Sequence, residues 1–301
     1  MDFGKLASVD LVNFALLPEP AQNQQVLPGK RSDNPTLYIG ATGYNMKAWV
    51  GKWYPVGAKD KSFLFHYGKQ FNTIEHNTTH YRIPDQLTIE RWRNDTPEDF
   101  KFCPKIPQTI SHARDLGLAG REIDYFADMI GGLKPQLGPC FMQLPPGFNP
   151  DEVHLLEVFT NRFPDHIPLA IEVRHPAFFQ PGLASEKYFR LLKEKRIAAV
   201  ITDVAGRRDV CHMRVTHTNT LIRFVGNGLH PSDYTRIQEW TERLKHWFES
   251  GLEAAYFFTH EPDNLLAPEL AAYCLENFSK EMPWVTMRGP SPVSGQQGTL
   301  F

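Results

Sequence analysis

The chain has 301 residues, of which 42% are hydrophobic and 22% are charged, a composition typical of a globular protein with an apolar core. Its 32 basic and 34 acidic residues give a net charge of −2, which argues against an extended basic surface for nucleic acid. The four cysteines stand alone in the sequence, so we expect neither structural zinc nor a disulfide framework, and we expect a reducing, cytoplasmic environment.

The two ends of the chain differ in composition from its centre. Residues 1–35 contain several prolines and lack a basic leader, so we expect an irregular N-terminal extension rather than a signal peptide. Residues 283–301 are rich in Gly, Pro and Ser and are predicted to form a flexible tail. No apolar run approaches the roughly 18 to 20 residues of a membrane span, so no membrane contact is expected.

Between these ends, strand-like apolar runs alternate with amphipathic, helix-like stretches. The eight runs are 36–44, 71–82, 100–107, 138–146, 168–176, 198–204, 220–227 and 254–262. All but the sixth are followed by a helix-like stretch, and several stretches begin with a start signal such as Pro84-Asp85 or Asn149-Pro150.

This alternation predicts parallel strands joined by right-handed crossovers. Eight such units in roughly 250 residues predict an α/β fold, a single TIM (β/α)8-type barrel domain over residues 36–282. A doubly wound open sheet is the alternative, but "GATGY" after the first strand lacks the G-x-G-x-x-G pattern typical of that fold.

In a TIM barrel the chemistry takes place at the carboxyl ends of the strands. Near those ends the predicted strands place Thr42, Tyr44, Glu75, Asn77, Lys105, Gln143, Glu172, Arg174, Asp203, Arg223 and His260. Each residue alone has a plain structural explanation, as a surface ion pair, a helix cap or a hydrogen bond to the backbone. Three acids and three bases converging on one mouth favour a functional site, because charges are rarely buried unless paired. Within this set, Lys105 is the expected cation for Glu75.

Six motifs follow one another in order over about residues 36 to 280. They are "YIGATGYNMKAWVGKWYP", "FNTIEHNTTHYRIP", "DFKFCPKIPQTISH", "CFMQLPPGF", "IEVRHPAFF" and "AYFFTHEPDNLLAPELA". Together they resemble the DUF72 family, also called YecE-like. The resemblance implies a TIM-type barrel of a mostly bacterial and archaeal family without an established activity, so it supports the fold and names no reaction.

The polar signature of the family also falls on the predicted mouth. Carried over by position, the resemblance implies a role for Glu75, Asn77, Tyr81, Lys105, His112, Gln143, Glu172, Arg174, His175 and Arg223. The eighth strand of the family usually ends in an Asn pair, whereas this sequence has Thr259-His260. We expect His260 to replace an asparagine as a hydrogen-bond donor.

Two kinds of reaction are less favoured by these residues. Glycoside hydrolysis requires two carboxylates, but strands four and seven, which often supply them, carry Gln143 and Arg223 here. Basic neighbours would also keep Glu75 and Glu172 ionised, whereas a general acid needs a raised pKa. A second alternative is a hydrolase or isomerase that holds a divalent metal through Glu75, Glu172, Asp203 and His260. Three nearby cations oppose such a metal, and the sequence requires no cofactor.

Recognition of a small anion fits the charges best. Arg174 and Arg223 are suited to clamp a phosphate or carboxylate, and Lys105 adds a third positive charge. The catalytic candidates are Glu75, Lys105, His112, Glu172, His175 and Asp203. The candidates for substrate contacts are Tyr44, Trp49, Asn77, Tyr81, Gln143, Arg174, Arg223 and His260. We therefore expect an enzyme of hydrolase or lyase type that acts on a small anionic substrate, such as a phosphorylated sugar or a nucleotide-like molecule.

Two alternatives come from other classes of protein. The terminal "QGTLF" resembles the bacterial sliding-clamp-binding peptide at Gln297, Leu300 and Phe301 and departs from it at Gly298. Docking on a clamp would connect the barrel to nucleic-acid metabolism. A non-catalytic ligand-binding barrel is the other alternative, because binding and catalysis recruit the same residue types.

Overall fold

The computed structural model describes residues 3–293. Eight parallel strands form a nearly closed barrel: β1 Thr36–Ala41, β2 Thr73–His76, β3 Lys101–Pro104, β4 Cys140–Gln143, β5 Leu169–Glu172, β6 Ala198–Asp203, β7 Asn219–Val225 and β8 Ala254–His260. The strands pair in the order β3-β2-β1-β8-β7-β6-β5-β4, and a parallel bridge between Lys105 and Phe141 joins β3 to β4. The predicted TIM-type barrel is therefore confirmed.

Helices connect the strands on the outside of the barrel. They are α1 Phe63–Gln70, α2 Gln86–Asp95, α3 Gln108–Ser111, α4 Glu122–Gly131, α5 Val153–Arg162, α6 Leu183–Glu194, α7 Pro231–Glu249 and α8 Ala267–Glu281. The start signals act as predicted at α2, where the Asp85 side chain accepts a hydrogen bond of 2.8 Å from the Thr88 amide. Between β6 and β7 the described chain has only a 3-10 turn, Arg208–Val210, as the short connection in the sequence predicts.

The N-terminal extension packs where a helix after β6 would otherwise lie. Its one short 3-10 helix, Ala21–Gln25, contains the buried Asn23. The Asn23 side chain bonds the carbonyl of Met213 at 3.0 Å and the amide of Val215 at 2.9 Å. Leu27 enters the apolar core. The extension is thus irregular in secondary structure and yet covers one side of the barrel.

A ninth strand, β9 Thr286–Arg288, lies inside the segment predicted to be a flexible tail. It pairs in parallel with Thr36 to Tyr38 at the start of β1, while β2 pairs with β1 only at its end. The added strand therefore occupies the part of the β1 edge that β2 does not reach.

Side chains alternate between the two faces of the barrel wall, as the pleat of a strand requires. Outward residues such as Ile39, Ile222 and Phe257 pack against the helices in the main apolar core. Inside the barrel, Tyr38 and Tyr256 stack with ring centroids 4.5 Å apart, in a cluster with Phe141. This apolar layer fills the lower part of the barrel and leaves the inward positions at the carboxyl ends for polar groups.

No helix within residues 3–293 has both the length and the apolar character that crossing a membrane requires.

Candidate functional site

Arg223 is the centre of a buried ionic network at the carboxyl ends of the strands. From β7 its Nε and Nη2 donate to the two carboxylate oxygens of Glu75 on β2, at 2.9 and 3.1 Å. Its Nη1 donates to Glu172 Oε2 on β5, at 2.8 Å. Arg223 and Glu75 have no solvent exposure and Glu172 almost none. One guanidinium therefore holds two carboxylates that come from different sides of the barrel.

Gln143 and two further cations complete this network. Arg174 donates from Nε to Glu172 Oε1 at 2.8 Å and from Nη2 to Gln143 Oε1 at 2.9 Å. Lys105 Nζ donates to the same Gln143 oxygen at 3.2 Å. The centroid of the Phe141 ring lies 5.3 Å from Lys105 Nζ and 5.0 Å from the guanidinium carbon of Arg223. The mouth thus has an apolar floor beneath a layer of charge.

His260 and Asn77 both bond to Glu75. His260 Nε2 lies 3.0 Å from Glu75 Oε2, and the Asn77 amide donates to Oε1 at 2.9 Å. Burial lowers the pKa of His260, so the neutral imidazole donates its Nε2–H to the carboxylate. His260 therefore lies where a hydrogen-bond donor was expected at the end of the eighth strand.

Both glutamates of the network are ionised. Burial by itself would raise the pKa of Glu75, but the charge of Arg223 and the contact with His260 outweigh it and hold that pKa well below its ordinary value. In the same way, Arg223 and Arg174 overcome burial and lower the pKa of Glu172. Neither carboxyl group is suited to donate a proton at neutral pH.

The pKa values of Lys105 and His112 are both lowered from their ordinary values. Burial first, and then the charge of Arg223, lower the pKa of Lys105 to about 8. Burial, assisted by the charges of Lys105 and Arg174, lowers the pKa of His112, whose Nδ1 lies 2.9 Å from Ser111 Oγ. These two side chains are the better candidates for moving a proton in the mouth.

The cation beside Glu75 is Arg223 and not Lys105, which was expected because β3 neighbours β2. Glu75 bonds across the interior to a strand three places away in the sheet order. In a barrel, inward side chains of non-adjacent strands meet at the axis, and the arginine is long enough to span that distance. Ion pairs inside the barrel are therefore not limited to residues on neighbouring strands.

Asp203 does not lie in the mouth. It points outward from β6, where it bonds Arg236 Nη1 at 3.1 Å and the indole of Trp240 at 2.8 Å, and it also pairs with Arg208. These two arginines overcome the effect of burial and lower the pKa of Asp203. The inward neighbour is Thr202, whose buried hydroxyl has no hydrogen-bond partner among the described residues. Val200 lies in the interior cluster, and two positions further along the strand Thr202 therefore lies on the same face.

Within residues 3–293, no hydrogen bond joins Tyr44, Trp49, Tyr81 or His175 to the network. Trp49 is buried, donates to the Leu265 carbonyl and packs on Tyr54, so it holds a loop in place. Tyr44 lies 6.2 Å from the ring of His76 in the outer core, and Tyr81 is 75% exposed.

His175 caps the 3-10 turn Pro176–Phe178, since its Nδ1 accepts a hydrogen bond from the Ala177 amide at 3.3 Å. That contact gives the ring a local structural role directly after β5. Whether His175, Tyr44, Trp49 or Tyr81 contacts a substrate stays a prediction.

Two side chains at this end of the barrel were not singled out from the sequence. Glu261 directly follows β8, and its Oε2 accepts a hydrogen bond of 2.8 Å from the Gly228 amide. Burial raises the pKa of Glu261 to about 7, and its Oε1 has no partner among the described residues. In the sequence, Glu261 directly follows His260, which was a predicted site residue, and this position could have identified Glu261 as well.

The second is Phe3, which lies over the mouth. Its ring centroid is 4.0 Å from the guanidinium carbon of Arg174 and 5.1 Å from that of Arg207. The carbonyl of Gly4 accepts a hydrogen bond of 2.8 Å from the Gly206 amide. A Cβ at Gly206 would lie 2.7 Å from that carbonyl oxygen, so glycine permits the close approach. Phe3 belongs to the N-terminal extension, which was predicted to be irregular, and nothing in the sequence indicated its contact with Arg174.

Metal binding finds little support in the arrangement of ligands. Within residues 3–293, no three His, Cys, Asp or Glu side chains are grouped so that they could hold a metal ion. Of the four residues considered as ligands, Glu75 and Glu172 bond arginines and Asp203 lies on the other face of the wall. Gln297, Leu300 and Phe301 of the clamp-like peptide lie outside the described residues, so that reading stays a prediction.

The fold and the site define a TIM-type barrel protein whose strand ends hold a buried ionic network. A family model described as "Protein of unknown function DUF72" matches residues 38–294, and the chain belongs to this family. It is 33% identical over 283 residues to the UPF0759 protein YecE of Escherichia coli K12, covering 88% of this chain and all of that protein.

Two further relatives extend this comparison. The UPF0759 protein YunF of Bacillus subtilis is 27% identical over 211 residues, which are 64% of this chain and 71% of that protein. The crystal structure of a DUF72 family protein from Enterococcus faecalis V583 superposes with a TM-score of 0.64 at 20% identity, covering 81% of this chain and 98% of that chain. The structural match supports the barrel fold and carries no information on a reaction.

Proposed function

We propose that this protein is an enzyme of hydrolase or lyase type that binds a small anionic substrate at the carboxyl-end mouth of the barrel. The observation that carries the proposal is the environment of Lys105. Arg223 and Arg174 bond the ionised carboxylates of Glu75 and Glu172, whereas the only hydrogen bond of Lys105 Nζ within residues 3–293 goes to the neutral amide oxygen of Gln143.

A buried ammonium group without a carboxylate partner is costly unless a ligand compensates its charge. Lys105 is only 8% exposed and its Nζ is bonded to a neutral amide oxygen, so its charge has lost most of its hydration without gaining a direct carboxylate partner. A purely structural network would be more stable with an apolar residue at this position. Perturbed ionisable groups of this kind are concentrated at functional sites, which supports a role in binding or catalysis.

The anion would lie against Lys105 rather than on Arg223. All three nitrogens of the Arg223 guanidinium already donate to carboxylates, and this side chain has no exposure. Arg223 therefore supports the mouth by keeping Glu75 and Glu172 in place. Glycoside hydrolysis is disfavoured because both carboxylates are ionised and neither can serve as the general acid.

Calorimetric titration with phosphate and with a panel of sugar phosphates and nucleotides tests this proposal. We expect Lys105→Met to weaken binding of the best probe at least about 10-fold, because a charge-assisted hydrogen bond is lost. Lys187→Met, which removes an exposed lysine on α6, is the matched control and should leave the affinity unchanged. If Lys105→Met binds each probe as tightly as the wild type, the mouth is not an anion site. Turnover of the bound probe separates an enzyme from a non-catalytic binding barrel.

The same proposal assigns the protein to a reducing cytoplasm. All four cysteines are free and buried, and burial raises the pKa of each thiol. Protonated thiols in an apolar core do not require an oxidising compartment. Cell fractionation followed by immunodetection would test the assignment.

A further inference from the structure

Lys105 is the cation of the mouth that is not bonded to a carboxylate. Arg223 bonds Glu75 and Glu172, and Arg174 bonds Glu172. Among the described residues, no carboxylate oxygen lies within 4.0 Å of Lys105 Nζ, which is the distance limit for an ion pair. The only hydrogen bond of this Nζ within residues 3–293 goes to the neutral Gln143 Oε1. The amine is therefore held in position without being fixed in its charged form.

This environment makes the amine available as a nucleophile. With a pKa of about 8, about a quarter of Lys105 is unprotonated at pH 7.5, compared with about 0.1% of an ordinary lysine. The unprotonated amine is the form that attacks a carbonyl carbon, and burial next to other cations is a known way to produce it. The apolar Phe141 ring below Nζ excludes water from one side of the reacting atom.

We propose that Lys105 forms an imine with the carbonyl carbon of a small anionic aldehyde or ketone. This inference rests on the proposed anion-binding function and narrows it to carbonyl compounds and to lyase chemistry. The ionised Glu75 and Glu172 lie in the same network, where they stabilise positive charge on a protonated imine.

The chemistry balances without an added oxidant or reductant. The Lys105 Nζ lone pair forms a C–N bond, the carbonyl π bond opens, and a proton moves from nitrogen to oxygen to give a carbinolamine. The C–O bond then breaks, the oxygen leaves as water with one further proton, and a C=N bond remains. His112, whose pKa is lowered so that it is neutral, is the nearby group suited to carry these protons. The protonated imine then accepts the electron pair of the neighbouring C–H bond and becomes a neutral enamine, while the proton released from that carbon is taken up by the neutral His112.

Reductive trapping tests the inference on the full-length protein. The wild type is incubated at pH 7.5 with cyanoborohydride and either glyceraldehyde 3-phosphate or the neutral glycolaldehyde, and labelled peptides are mapped by mass spectrometry. We expect Lys105 to be labelled at least 10-fold faster than the exposed Lys187, with a rate that rises with pH and levels off above about pH 8. Labelling of Lys187 should continue to rise towards pH 10.

Lys105→Arg provides the matched variant, because it keeps the cation and removes the nucleophile. We expect it to melt at nearly the wild-type temperature and to show no label at position 105, while Lys187 is labelled at the wild-type rate. Labelling of Lys105 at or below the rate of Lys187 with both carbonyl probes would overturn the imine, whether or not phosphate binds. Preferential labelling of Lys105 that is equally fast with both probes would support the imine and contradict the anion site.

Discussion

Two buried arginine–carboxylate networks lie on opposite faces of the same barrel wall. On the outer face, Asp203 and Asp233 are paired with Arg208 and Arg236, so two negative charges meet two positive ones. On the inner face, Arg223 and Arg174 bond two glutamates, while Lys105 bonds, among the described residues, only a neutral amide oxygen. The same pairing chemistry therefore gives a balanced anchor in one place and a candidate site in the other.

The outer network has a clear structural task. Arg236 and Trp240 belong to α7 and both bond to Asp203 at the end of β6, which ties that helix to the strand. Phe14 of the N-terminal extension stacks on Arg236 at 4.6 Å and so joins the same anchor. Because each charge is compensated within the protein, no ligand is needed there.

Removal of the central arginine of the inner network should have the largest effect. We expect Arg223→Met to lower the free energy of unfolding by about 3–5 kcal/mol at pH 7.5, because two buried carboxylates lose their shared partner. Burial would then raise the pKa of Glu75 above its value in the unfolded chain, whereas Glu172 keeps its ion pair with Arg174. Folding would take up protons, so the deficit relative to the wild type should shrink as the pH falls from 7.5 to 5.0.

The wild type should behave in the opposite way. Its lowered pKa values for Glu75 and Glu172 provide stability that is fully present above about pH 4.5 and is lost as the pH falls below that value. Urea unfolding of both proteins at pH 7.5 and pH 5.0 measures the difference. An equal deficit at the two pH values would contradict the assignment of the charges.

Disruption of the outer network should destabilise the fold without affecting the mouth. We expect Asp203→Asn to cost about 3 kcal/mol, because Arg208 loses its carboxylate while Arg236 keeps Asp233. Phosphate affinity and the labelling of Lys105 should be unchanged in the folded fraction. The control is Glu186→Gln, which breaks an exposed pair with Arg214 and should cost less than about 1 kcal/mol. Loss of phosphate affinity in Asp203→Asn would show that the two networks are coupled.

The smallest effect is expected at His260. His260→Ala should cost about 1–3 kcal/mol, because the buried Glu75 loses a hydrogen-bond donor. His260→Asn supplies an amide donor and should recover most of that loss. Thermal or urea unfolding of the two variants measures this, and an asparagine variant as unstable as the alanine one would argue that imidazole packing matters more than the donor.

The alternation of side chains along the strands allowed the sequence to reveal part of the site. Glu75, Glu172 and Arg223 are inward, carboxyl-end residues of strands whose apolar runs were recognised, and the structure brings all three together. Asp203 was assigned to the mouth from its place at the end of an apolar run, although Val200 fixes Thr202 as the inward residue. A shift of one residue along a strand moves a side chain to the other face.

The sequence by itself determined the eight strands, the order of their helices and most of the polar residues at their carboxyl ends, because these depend on local periodicity and capping. The tertiary structure alone decided which charges are paired. Glu75 meets Arg223 across the barrel axis, 148 positions away in the chain, and Lys105 is left with a neutral partner. Phe3 likewise reaches Arg174 only because the extension packs along β6. Such contacts depend on distances through the interior of the barrel, which no local pattern of residues records.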